Sequence, residues 1–112
     1  MNLKVKHYGN TLKVSVSGEL DMKVAERFRQ VLDRGLEQHP DSNLLLDLSG
    51  VSFIDSSGLG VILGRYKKLI KDGRVMVISG ARPVVERILE LSGIMKIIGV
   101  YPTESDALSQ LS

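Results

Sequence analysis

Asp55-Ser56-Ser57-Gly58-Leu59-Gly60 is the stretch of this sequence whose residue types and spacing bear most directly on chemistry. It lies between an apolar run that reads as a buried strand and an amphipathic segment that reads as a helix, so Ser56 stands at a strand-to-helix junction. Such a junction offers backbone N–H groups and the positive end of a helix dipole, both of which favour an oxygen or an anion. The nucleophile of α/β-type serine hydrolases occupies a comparable turn. Asp and Ser are also preferred helix N-caps for structural reasons alone, and on residue types this simpler reading stands beside the chemical ones.

The partners each chemistry needs are mostly missing. A hydrolase requires a general base near the serine, yet the two histidines are His7, early in the chain, and His39, just before Pro40. Neither has an obvious orienting partner, and the Gly-x-Ser-x-Gly elbow is absent, so hydrolysis is a distant alternative. Gly58 and Gly60 follow a strand as in a dinucleotide fingerprint, but the third glycine is Gly64, one position too late, and no Gly-Lys-Ser/Thr phosphate loop occurs. With no cysteine and no tight carboxylate cluster, metal ligands are lacking. Fifteen Lys and Arg against thirteen Asp and Glu leave a formal charge of +2, and the chain has no Trp, two Phe and three Tyr, well scattered. That is neither the basic stripe nor the stacking platform of a nucleic-acid binder. The expectation is a protein with no catalytic residue, no cofactor, no metal and no direct nucleic-acid partner.

The elements that must position Ser56 follow from periodicity. At 112 residues with 43% hydrophobic residues, the length suits one globular domain over 1–112. Leu3 and Val5, then Leu12, Val14 and Val16, alternate at period two around Gly9-Asn10, which predicts a starting β-hairpin. From Asp21, placed to cap a helix, the period shifts: Ala25, Phe28, Val31, Leu32 and Leu36 share one face, with an end near His39-Pro40. Leu44 to Leu48 reads as a central strand. After the Ser56 junction, Leu59, Ile62, Leu63, Tyr66 and Ile70 form the apolar stripe of a second helix that Gly73 is placed to end. Val75 to Ile78 predicts another strand, and Pro83 opens a third helix whose Val84, Ile88 and Leu91 lead to Gly93. Ile97-Ile98 predicts a short last strand, and Thr103 with Asp106 approximates a capping box for a short helix over Ala107, Leu108 and Leu111. The class is α/β, a mixed sheet that begins with a β-hairpin and has helices packed against it. The opening residues alternate charged and apolar side chains, without a signal-peptide core, and no apolar run is long enough to span a membrane, so a cytoplasmic location is expected.

Two glycines inside the second helix need an explanation, since each costs about 1 kcal/mol relative to Ala. Gly60, Gly64, Lys67, Lys68 and Lys71 follow a helical face different from the apolar stripe. Either this strip of bare backbone is open to another protein, or the glycines permit close contact within the domain. Both readings fit the pattern.

The run Phe53 to Lys67, centred on Asp55-Ser56-Ser57-Gly58 and continuing Gly60-Val61-Ile62-Leu63-Gly64-Arg65-Tyr66-Lys67, closely resembles the signature of STAS-domain anti-sigma-factor antagonists. Gly18-Glu19-Leu20-Asp21 resembles the motif that ends the second strand of that family, and Ser92 to Ile98 resembles the segment after its third helix. Among its branches the chain is most similar to the sporulation type, which opposes an anti-sigma-F factor. The resemblance implies a STAS-type fold and a partner-switching cycle. The unphosphorylated protein binds an anti-sigma factor that is also a serine kinase, freeing the sigma factor. That kinase inactivates the antagonist by phosphorylating Ser56, and a serine phosphatase restores it. By the same resemblance Asp21, Asp55, Ser57, Gly58, Gly60, Gly64 and Arg65 belong to the partner-binding surface. An antagonist in a general stress-response pathway is the alternative within the family. A phosphate on Ser56 adds roughly −1.5 to −2 charges where a partner must pack closely. A helix N-terminus can accept that phosphate locally, so the switch is expected at the interface with little change in fold.

Overall fold

Alternation and helical periodicity resolve into five strands and four helices in the computed structural model, which describes residues 1–111. Strand β1 (Asn2–Tyr8) turns through Gly9-Asn10 into β2 (Thr11–Leu20), and α1 (Ala25–Gln38) leads to β3 (Asn43–Ile54). Helix α2 (Ser56–Lys71) is followed by β4 (Met76–Ser79), α3 (Pro83–Ser92), a single 3₁₀ turn (Ile94–Lys96), β5 (Gly99–Tyr101) and α4 (Glu104–Ser109). The sheet order is β1-β2-β3-β4-β5, with β1 antiparallel to β2 and every later pair parallel. This is the expected mixed sheet with a hairpin at its start. Parallel neighbours require crossovers, and α1, α2 and α3 supply them.

The period of two along the central strands sorts their side chains between two unequal layers. Val14, Leu44, Leu46, Leu48 and Ile78 point into the main core with Phe28, Leu32 and Leu36 of α1, Ile62 and Leu69 of α2, and Val85 and Leu89 of α3. Leu45 and Val77 point the other way and are covered with Ala107 of α4. Both faces of β3 and β4 are therefore buried, which is why Leu44-Leu45-Leu46 is apolar without alternation. Gly93 ends α3 at φ +86°, a left-handed position that suits glycine. Thr103 Oγ1 accepts the N–H of Asp106 at 3.1 Å and so caps α4 as expected.

Several sequence expectations shift when the chain packs. Asp21 does not cap α1: its carbonyl accepts the N–H groups of Val24 and Ala25 in a turn, and the helix begins at Ala25 behind Val24, which makes no side-chain cap. The central strand runs on to Ile54, because β2 continues to pair with it as far as Leu20↔Ile54. The last strand is Gly99–Tyr101; Ile97 stays exposed, while Ile98 is buried just before the strand. The α2 stripe holds through Leu59, Ile62 and Tyr66 and shifts by one residue only at its end, and the α3 stripe shifts along with it. Leu69 is buried and Ile70 is 51% exposed; in α3, Val85 and Leu89 are buried while Val84 and Leu91 are exposed. Adjacent apolar residues such as Val84-Val85 and Leu69-Ile70 satisfy a 3.6 period equally well, and only the direction in which the helix meets the sheet chooses between them.

One pair ties the second layer to the hairpin. Lys13 on β2 forms an ion pair with Glu104 at the start of α4, and this hydrogen bond holds the Lys13 ammonium above its ordinary pKa. Tyr8 is pushed up as well, first by burial of its hydroxyl and then by the charge of Glu104. In both groups the folded state favours the protonated form, so their contribution is complete below pH about 10 and is lost as pH rises through the raised values. Stability followed by denaturant titration should fall as pH rises above about 10, and Glu104→Gln should flatten that decline. Within the main core, Phe28→Ala should lower unfolding free energy by about 3–5 kcal/mol, read from urea midpoints at unchanged slope.

Candidate functional site

The backbone leaves β3 at Ile54, opposite Leu20, and the N–H of Asp55 donates to the Leu20 carbonyl at 3.1 Å. Asp55 remains extended, at φ −105° and ψ −174°, and turns its carboxylate over the first turn of α2. Oδ1 accepts the N–H groups of Ser57 at 2.8 Å and Gly58 at 3.1 Å. Oδ2 accepts the N–H of Met22 at 3.1 Å, across 33 residues of sequence. One side chain thus caps α2 and fastens it to the loop between β2 and α1, where the Asp21 carboxylate accepts the N–H of Lys23 at 3.0 Å. Sequence reasoning gave Asp55 and Asp21 to this region but supplied no sign of the Met22 bond, which is a long-range contact.

Ser56 is the first residue of α2 and is exposed, whereas Ser57 is partly covered. Two further exposed side chains mark the same end of the sheet and were missed from the sequence: Met22, 76% exposed in the β2–α1 loop, and Phe53, 43% exposed near the end of β3. Phe53 carries the one usable signal, a large aromatic residue directly before the junction. Met22 carries none.

The three glycines separate into two kinds. Gly58 is not on the surface strip; it is buried, and a Cβ there would lie 2.5 Å from the Leu20 carbonyl oxygen and 2.9 Å from Ile54 Cγ1. It is a glycine because α2 begins pressed against the ends of β2 and β3, which corrects its assignment to a partner-facing surface. A Cβ on Gly60 or Gly64 would meet nothing within 4 Å. Packing inside the domain therefore does not explain these two, and the strip of bare helix backbone is open. Arg65 also departs from the expectation of a free docking side chain. Its side chain is 16% exposed and forms an ion pair with Asp33 of α1, with Nε 3.2 Å from Oδ1 but not aligned as a hydrogen bond, and with Nη1 donating to Oδ2 at 3.4 Å. Arg29 donates to the same Oδ2 at 3.1 Å. Arg65 is a clasp between α1 and α2.

The arrangement has little of a hydrolase about it. His7 and His39 stack on each other, 3.7 Å between ring centres, and His7 Nε2 is bonded to Ser42 Oγ at 2.8 Å, at the end of α1 remote from Asp21 and Asp55. Among the described residues no group of three or more His, Cys, Asp or Glu is disposed to hold a metal. With Oδ1 of Asp55 already on the amides of Ser57 and Gly58, a phosphate on Ser56 would find those two donors taken. The local acceptance expected from the helix N-terminus is reduced accordingly, and the added charge would stand beside the Asp55 carboxylate and face outward.

Removing the cap should be costly and local. Asp55→Ala is expected to lose about 1–2 kcal/mol and to speed hydrogen exchange at the amides of Met22, Ser57 and Gly58 together. Gly60→Ala and Gly64→Ala should each raise stability by up to about 1 kcal/mol, while Gly58→Ala should lower it. Thermal melts of the three variants check that ordering.

Comparison with known proteins agrees with this geometry. The STAS domain family matches residues 2–107. The anti-sigma F factor antagonist of Paenibacillus polymyxa is 39% identical over 113 residues, covering 99% of this chain and 97% of that protein. The anti-sigma-B factor antagonist of Bacillus subtilis is 32% identical over 100 residues, 89% of this chain and 90% of that one. The crystal structure of an anti-sigma factor antagonist from Mycobacterium paratuberculosis superposes with a TM-score of 0.88 at 32% identity, covering 98% of this chain and 92% of the other. With the family match over nearly its whole length, the hairpin-led sheet and the capped Ser56 junction, the chain belongs to the STAS domain family.

Proposed function

We propose that this protein is an anti-anti-sigma factor whose unphosphorylated form binds an anti-sigma factor with serine kinase activity, releases the sigma factor, and is turned off by phosphorylation of Ser56. The observation that carries the reading is the placement of Ser56: exposed, first in α2, and fixed by an Asp55 carboxylate that is anchored to two segments. A kinase needs a hydroxyl it can reach in a defined position. In the transfer, the Ser56 oxygen attacks the γ-phosphorus of ATP held by the kinase, the bond to ADP breaks, and the hydroxyl proton leaves to a base of the kinase. A serine phosphatase reverses the state by hydrolysis.

Release follows from charge and shape. The open backbone at Gly60 and Gly64 lets a partner approach α2 closely, and the exposed Met22 and Phe53 offer apolar contact at the same end as Ser56. A phosphate there adds roughly −1.5 to −2 charges beside Asp55, within a surface that the partner must desolvate. Asp21, Asp55 and Ser57 hold this surface in shape through their contacts within the domain. Arg65 acts behind it, fixing α2 on α1, and Gly58 sets how closely α2 meets β2 and β3.

The sporulation-type pathway is favoured by the 39% identity to an anti-sigma F factor antagonist, and the 32% identity to an anti-sigma-B factor antagonist keeps the general stress pathway as the second reading. Incubation with ATP and each candidate anti-sigma kinase, followed by mass spectrometry, is expected to place one phosphate on Ser56 and none on Ser56→Ala. Ser56→Ala should still capture the kinase, whereas Ser56→Glu should bind it at least about ten-fold more weakly. Phosphate on another residue, or full binding by Ser56→Glu, would sink the proposal. The kinase retained identifies the pathway.

A further inference from the structure

One side of the sheet ends on an unpaired strand. In the order β1-β2-β3-β4-β5, β1 bonds only to β2 among the described residues, so every second one of its residues turns its N–H and C=O outward. The opposite edge, β5, is three residues long, whereas β1 offers seven. The far end of β1 is held in place: His7 Nε2 is bonded to Ser42 Oγ at 2.8 Å, and the His7 ring stacks on His39 just past α1. A fixed edge of this length is a template on which a further strand can form.

The register with β2 sorts the side chains of this edge. Leu3, Val5 and His7 stand opposite Val16, Val14 and Leu12, on the face that α1 covers, and Lys4 and Lys6 stand opposite Ser15 and Lys13 on the other face. Val5 is 50% exposed, and with Val31, Arg34, Gly35 and Gln38 of α1 it lines one hollow of about 200 Å³ beside the edge. A strand laid along β1 would project every second residue toward α1 and so into that hollow, where Val5, Val31 and Gly35 suit an aliphatic side chain. On the other face Lys4 and Lys6 are exposed, and no ion pair engages them or Arg34 among the described residues. The acids of the neighbourhood stand apart from the edge. Glu104 is paired with Lys13 and Glu26 with Arg29; Asp47 lies two strands in, accepting Ser15 Oγ at 3.3 Å; exposed Glu37 and Asp41 lie outside the lining of the hollow.

We propose that the β1 edge is a strand-addition site for an extended segment of a partner protein in which acidic and apolar residues alternate. Backbone hydrogen bonds along the edge supply the affinity. Carboxylates beside Lys4 and Lys6 on one face, and an apolar side chain beside Val5 in the hollow on the other, supply the specificity. Charge also decides against a second copy of this chain: two β1 strands in full antiparallel overlap place Lys4 opposite Lys6 twice, and like charges directly opposite are destabilising. Edge lysines guard a sheet against indiscriminate pairing, which leaves acid as the matching chemistry, but that guard does not account for the hollow beside Val5. Ser56 lies at the end of β3, two strands away, so this docking is independent of the phosphorylation reading.

The test titrates the blocked peptide acetyl-Thr-Glu-Val-Glu-Val-Glu-Thr-amide into the isotope-labelled full chain and follows backbone amide shifts by NMR. Binding is expected with a Kd of about 1 mM or tighter, with shifts along Leu3 to His7 and at Val31 and Gly35, and none at Gly60 or Gly64. A peptide of the same composition with its valines and glutamates grouped, Thr-Val-Val-Glu-Glu-Glu-Thr, should bind at least about five-fold more weakly, as should one with serine for both valines. Lys4→Gln/Lys6→Gln should weaken binding about ten-fold, while Lys67→Gln/Lys68→Gln on α2 should leave it unchanged. Circular dichroism melts verify that each variant folds. Absence of shifts on β1 at several times about 1 mM peptide overturns the inference. Equal binding of the grouped peptide overturns it as well, since it would mean diffuse charge attraction only. A dimer by light scattering that moves the same β1 amides without peptide would assign the edge to a second copy and overturn it too.

Discussion

The Asp55 carboxylate accepts three backbone N–H groups, two from the first turn of α2 and one from Met22 in the loop after β2. This one side chain joins segments 33 residues apart, and the position of Ser56 depends on it. A helix start has unsatisfied N–H groups that attract any oxygen. Filling two of them from within the domain fixes the helix end and leaves the neighbouring hydroxyl outside the bonding arrangement, exposed and available. The same carboxylate keeps the Met22 loop beside it, so the surface around Ser56 is assembled from the ends of two crossovers.

The close fit beneath that surface rests on Gly58 and Arg65. A side chain at Gly58 would collide with the Leu20 carbonyl, so the contact between α2 and the strand ends is as tight as backbone allows. Arg65 then holds the next turn against α1 through Asp33. Gly60 and Gly64, on another face of the same helix, have open space around them. Residues that look alike in the motif therefore divide into those that build the platform and those that lie open on the helix surface.

Two ends of one helix carry two different surfaces. Near Ser56 the helix backbone is bare at Gly60 and Gly64, with Met22 and Phe53 exposed at the same end; the last turn of the helix carries Lys68 and Lys71. The macrodipole favours this arrangement, since cations are stabilised at a helix C-terminus and a capping carboxylate at its start.

The sequence by itself determined the hairpin, the order of strands and helices, the junction at Ser56 and the family resemblance, because these are local: period two against period 3.6, turn glycines, a capping aspartate and a contiguous motif. Tertiary structure alone decided which of two adjacent apolar residues is buried, as at Val84-Val85 and Leu69-Ile70, since both fit the helical period and only the approach of the sheet breaks the tie. It also decided the roles of the motif residues. Gly58 and Gly60 are two positions apart in a helix and so point about 200° apart, one into Leu20 and one into solvent. Asp21, by sequence a cap for α1, sits in a turn beside Met22, whose N–H donates to Asp55 33 residues later, and no local pattern records that bond.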